Sequence, residues 1–200
     1  PLSLPIKEIP IITIDDTLKW KSVLSFGAFG DGITDDSKAI QAAIVSGESV
    51  LYFNGGKSFL MNDTVDVYGS TQIIRGLRGN LKGKGAFRFI DKLEGDAPTV
   101  IFENLMMNYG DSIRIIHESK RTLVVNNSHL LLEGKGTGDF FINDVCTGSL
   151  LLYNTKQHVY CRQLNIEIFD QPKIQNKGAY LWILGLKTEN DNTVIYTSNG

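Results

Sequence analysis

Apolar and polar residues alternate in short runs along most of the chain, and Gly, Asn or Asp breaks each run. Residues 50–53, 64–67, 72–74, 86–90 and 100–102 read as strands on this pattern. Many short strands at regular spacing predict an all-β architecture. One helix interrupts them early. Thr34-Asp35-Asp36-Ser37 supplies N-cap oxygen and negative charge, and Ala39, Ile40, Ala43 and Ile44 form an apolar face at helical spacing. Gly47 sits where a C′ glycine belongs. Pro1, Pro5 and Pro10 make residues 1–13 an extended lead-in.

Five segments share an apolar–x–polar–apolar core: Phe102-Glu103-Asn104-Leu105, Val125-Asn126-Asn127-Ser128, Ile142-Asn143-Asp144-Val145, Cys161-Arg162-Gln163-Leu164 and Ile183-Leu184-Gly185-Leu186. Their third positions are 23, 17, 19 and 22 residues apart. No Leu-x-x-Leu-x-Leu pattern recurs, so the period points to a parallel β-helix and not to leucine-rich repeats. The third position reads Asn104, Asn127, Asp144, Gln163, Gly185. Asn, Asp and Gly best tolerate the left-handed backbone angles that a one-residue bend needs. Stacked in register about 4.8 Å apart, these residues form a ladder, from which Gln163 departs in type.

Alternation turns Ile101, Val124, Phe141, Tyr160 and Trp182 outward. Such a stripe is either covered by a turn or a later part of the chain, or it binds something. Aromatic rings near amides and Arg162 suit stacking on sugars, so Tyr160, Trp182 and Arg162 are candidate substrate-binding residues.

Composition narrows the classes. Net charge is −2, with 42% hydrophobic and 21% charged residues, and no Lys/Arg run exceeds two. That is a globular chain with little case for nucleic acid or anionic membrane. No apolar run approaches a spanning helix and no leader peptide is visible. Cys146 and Cys161 fit no zinc or redox spacing; they are two buried thiols or one disulfide. His117, His129 and His158 show no metal-ligand spacing. The loop Gly27-Ala-Phe-Gly30-Asp31-Gly32 fits no phosphate-binding motif, and Asp31, Asp35 and Asp36 would repel an anion there. They read as structural capping residues, with a cation site or substrate contact as the alternative.

Phe26-Gly-Ala-Phe-Gly-Asp-Gly-Ile-Thr-Asp-Asp-Ser-Lys-Ala-Ile-Gln-Ala-Ala-Ile44 resembles the opening motif of the pectate lyase-like superfamily, with Ser25 in place of an acidic or amide residue before it. Leu181-Trp-Ile-Leu-Gly-Leu-Lys-Thr-Glu189 is similar to a stretch of uncharacterised bacterial members. The motif also opens family 28 and family 55 glycoside hydrolases and phage tailspikes. The resemblance implies a single-stranded right-handed parallel β-helix with an N-terminal capping helix, acting outside the cell on pectin-like polysaccharide as hydrolase or lyase. A non-catalytic carbohydrate-binding or tailspike-like module is the alternative. No cofactor is expected, except Ca2+ for a lyase. The polygalacturonase signatures are absent, and Asp139, Asp144 and Arg162 are the weak catalytic candidates. The expected division is 1–48 for lead-in, glycine turn and cap, and 49–200 for coils. Residues 193–200 begin another strand and reach Asn199 where the next ladder bend is due, so further coils or an end-to-end homotypic contact are expected beyond them.

Overall fold

The computed structural model describes residues 7–92, 95–154, 156–168 and 171–199; Pro1, Pro5 and Gly200 lie outside them. The chain winds as a parallel β-helix with three faces. The first face is built from β1 (Trp20–Ser22), β3 (Val50–Phe53), β6 (Ile73–Gly76) and β9 (Thr99–Glu103). It continues through the opening halves of β12 (Thr122–His129), β14 (Phe140–Thr147), β16 (His158–Ile166) and β18 (Tyr180–Thr188). The second face carries β2 (Asp31–Asp35), β4 (Ser58–Met61), β7 (Asn80–Gly83), β10 (Met106–Met107) and the closing halves of the same long strands. The third is a separate sheet of β5 (Thr64–Val67), β8 (Ala86–Phe89), β11 (Arg114–His117), β13 (Leu131–Gly134), β15 (Leu150–Leu152), β17 (Ile174–Asn176) and β19 (Ile195–Thr197).

The ladder is the hinge between the first two faces. Asn104, Asn127, Asp144, Gln163 and Gly185 all have positive φ, from 41° to 84°. Gln163 adopts the bend at φ 54° without the residue type that favours it. Asn127 Nδ2 donates to Asn104 Oδ1 at 2.7 Å, the contact that in-register stacking predicts. One coil earlier the bend is a looser loop, 77–79, with Arg78 at φ 65°. Inside, Phe53, Phe59, Phe87, Phe89 and Phe102 pack edge to face with centroids 5.0–6.4 Å apart.

The helix α1 (Ser37–Val45) takes the place of a third-face strand in the first coil and packs on β5. Ile40, Ala43 and Ile44 are buried against the core. Gly47 follows at φ 79° and its amide donates to the Ile44 carbonyl. The three cap acids divide the work differently from a simple N-cap. Asp36 holds the N-cap position but turns its carboxylate back onto the Phe29 and Gly30 amides, at 2.6 and 3.1 Å. Burial raises its pKa despite those donors. Asp35 accepts from the Ser37 amide and hydroxyl, and these bonds outweigh burial to lower its pKa. Asp31 folds its own turn, accepting from the Ile33 and Thr34 amides and the Thr34 hydroxyl, and is lowered by them.

One expectation is corrected, and one left open is resolved. β19 pairs in register with β17 on the third face, so Asn199 follows that sheet and is not a rung of the ladder. Its φ of 62° is left-handed all the same. Cys146 and Cys161 are free thiols. Cys161 points inward and burial pushes its pKa up, whereas Cys146 is half-buried on the second face beside Asn165.

Candidate carbohydrate-binding surface

The outward stripe is a continuous register column on the first face: Trp20, Val50, Ile73, Ile101, Val124, Phe141, Tyr160, Trp182. Five of these, Val50 to Phe141, are buried in a second hydrophobic cluster. The cover is neither a turn nor a later segment. It is the lead-in, whose Ile9, Ile12 and Ile14 pack across the column. Trp20 Nε1 anchors the lower end of this strap by donating to the Ile14 carbonyl at 2.9 Å.

The last two rungs behave differently. Tyr160 and Trp182 are in register on adjacent strands, and both are only half-buried. Tyr160 stacks on buried Phe141, with centroids 4.9 Å apart at 18°. The same alternation puts His158 and Tyr180 outward beside them, also in register, with rings 4.8 Å apart. His158 Nδ1 is 3.3 Å from the Tyr160 hydroxyl, and Tyr180 is 66% exposed. The four rings therefore lie on neighbouring outward positions: His158 contacts both Tyr160 and Tyr180, and Trp182 is in register with Tyr160. The sequence reading had two of them; alternation applied one step earlier along each strand reaches the other two.

Arg162 stands two residues from Tyr160, in the neighbouring outward column. That column runs Arg75, Glu103, Asn126, Asn143, Arg162, Leu184. It is largely satisfied within itself: Arg75 pairs with Glu103 at 2.5 Å, and Asn143 donates to Asn126 at 2.8 Å. Arg162 instead reaches the strap, with Nη2 3.4 Å from both the Lys7 carbonyl and the Glu8 carboxylate.

The catalytic candidates do not converge. Asp139 precedes β14 and is ion-paired to Lys7, whose pKa this hydrogen bond raises. Asp144 is a ladder residue five positions further on, about 16 Å of extended chain away, beyond the ~5–9.5 Å that two-carboxylate hydrolysis uses. Asp139 and Arg162 do both meet the strap, at Lys7 and Glu8 respectively. Among the described residues, no group of three or more His, Cys, Asp or Glu is placed to hold a metal ion.

A second polar surface was missed in the sequence. On the third face, Lys135 Nζ lies 2.8 Å from Glu133 and 3.8 Å from Glu118, and Arg114 lies 3.5 Å from Glu133. Sharing one ammonium keeps the two carboxylates no farther apart than the ~5–9.5 Å hydrolytic window. Lys135 and Lys177 flank the Tyr153 ring at 5.7 and 4.7 Å. These residues fall outside the repeated segments, and only the register of β11 with β13 brings them together.

A family model described as rhamnogalacturonase A/epimerase, pectate lyase-like, matches residues 20–199. No curated protein matches the chain.

Proposed function

The chain belongs to the rhamnogalacturonase A/epimerase, pectate lyase-like family, and from that premise we propose that it binds a pectin-like polysaccharide outside the cell, along the outer face of β16 and β18. The supporting observation is the register of Tyr160 with Trp182, half-exposed and bordered by Arg162. Flat rings one strand apart suit the apolar faces of sugars, and a guanidinium suits a uronate carboxylate. Trp182→Ala should weaken binding to an oligogalacturonide by about tenfold or more, with little change in melting temperature. Unchanged affinity, or a loss of stability in the range of a core truncation, ~3–5 kcal/mol, would reject this surface.

The Glu118–Glu133 pair supports a second reading, hydrolysis of the bound chain on the third face. Two carboxylates on one shared ammonium, with Arg114 beside them, suit attack on an acidic glycan. Release of reducing ends by the parent chain and its loss in Glu133→Gln would favour the enzyme. No release from any glycan that the protein binds would leave a binding module.

A further inference from the structure

The strap reaches the ring patch at Lys7 and Glu8, and the place they occupy is chemically specific. Glu8 sets a carboxylate against Arg162, and Lys7 lies over the face of Tyr160, 5.7 Å from its centroid, while pairing with Asp139. These are the guanidinium and the ring face that an acidic sugar would use. We propose that residues 7 and 8 are a built-in competitor: Glu8 mimics a ligand carboxylate on Arg162, and an acidic saccharide binds by displacing these two residues. This rests on the binding reading above and adds the regulation of that site.

Three observations make the contacts of Lys7 and Glu8 exchangeable. The side chains of Glu8 and Lys7 are 82% and 50% exposed, so their ion pairs are weak and screened. Residues 7–14 form no strand beside the coils; three isoleucines and the Trp20 hydrogen bond hold them. Ile9, Ile12 and Ile14 pack against the buried cluster of Val50 to Phe141, so residues 7 and 8 can lift while the isoleucines keep that column covered.

The test compares the parent chain with Glu8→Gln by titration with an oligogalacturonide and with a neutral cello-oligosaccharide of equal length. Glu8→Gln should bind the acidic ligand about two- to fivefold more tightly, the equivalent of one exposed ion pair, and leave neutral-ligand affinity unchanged. Amide exchange at residues 7–9 should rise when the acidic ligand is added to the parent chain. Equal or weaker acidic-ligand binding by Glu8→Gln, or exchange that is unchanged or slowed, overturns the competitor. Binding by neither protein removes the functional reading and the competitor with it, whereas binding that Trp182→Ala abolishes and Glu8→Gln leaves unchanged removes the competitor alone.

Discussion

Gln41 on the cap helix takes both backbone groups of Asp66: its Nε2 donates to the carbonyl at 3.1 Å and its Oε1 accepts from the amide at 2.7 Å. Asp66 lies in β5, the first strand of the third face, whose outer edge pairs with no strand among the described residues. One side chain thus substitutes for a rung of sheet, and Ser37 does the same for the Asn62 and Asp63 amides through its hydroxyl. An uncapped edge leaves polar groups unpaired and offers a template for association.

Gln41→Ala should therefore lower stability by about 1–3 kcal/mol, the cost of leaving partly buried backbone groups unsatisfied. Gln41→Glu retains the acceptor and loses the donor, so it should fall between. Urea melts of the three proteins order these effects; a Gln41→Ala melt equal to the parent would show that water serves the edge as well.

Gly76 ends β6 where the next coil's bend presses on it. A Cβ at this position would lie 1.9 Å from the Asn104 carbonyl oxygen. The clash is with backbone, which cannot swing away as a side chain would. Gly76→Ala should cost about 3 kcal/mol or more, the upper end of overpacking, and should disturb the ladder at Asn104. Gly56→Ala makes no such contact but sits at φ 71°, and should cost only about 1–2 kcal/mol from backbone strain.

The ladder and the outward column were legible in the sequence because each is a local rule repeated. Asn104, Asn127 and Asp144 announce left-handed bends by residue type, and Gln163 was placed by spacing alone. What covers the column was not legible. The strap acts across long separations, with Lys7 and Asp139 132 residues apart, and it packs from upstream onto coils that form later in the chain. The Glu118–Lys135–Glu133 cluster was hidden for a related reason. Its members fall in stretches without the repeated core, and only the register of the third face makes them neighbours.

Gln163 carries a testable cost. At φ 54° a long side chain has no local hydrogen bond to favour the left-handed region, whereas Asn does. Gln163→Asn should raise stability by up to about 1 kcal/mol and extend the Asn104–Asn127 contact pattern. A lower melting temperature would mean that the Gln163 side chain, which lies close to Gly185, contributes packing that Asn cannot replace.

Asp36 and Asp35 should separate in mutants. Asp36 is 1% exposed and its carboxylate satisfies two loop amides, so Asp36→Ala strands buried donors and should cost about 1–3 kcal/mol. Asp35→Ala loses a more open helix-start contact and should cost about 0.5–2 kcal/mol. Thermal melts at neutral pH compare them. Equal losses would assign the two carboxylates the same structural weight.

His117 gives the fold a pH dependence whose sign follows from its burial. The ring is fully buried against Phe140, with centroids 5.3 Å apart. Its Nδ1 accepts from the Ser119 amide at 3.4 Å and its Nε2 donates to the Asp139 carbonyl at 3.3 Å, a neutral tautomer. Desolvation lowers its pKa from 6.5 to about 4. Above pH 6.5 the folded and unfolded forms are both neutral and stability is flat. Between 6.5 and about 4 the unfolded chain takes up a proton that the folded chain refuses, so stability falls as pH falls, by up to ~3 kcal/mol in all. Asp31 and Asp35, both held below the usual carboxylate range, lose their contributions only at lower pH, and Asp36, raised by burial, works in the opposite direction. His117→Gln should be less stable at pH 7, because it forfeits the ring packing, yet show a much flatter profile between pH 6.5 and 4. If the slope in that window survives the substitution, another group carries the acid sensitivity and His117 is only a packing residue.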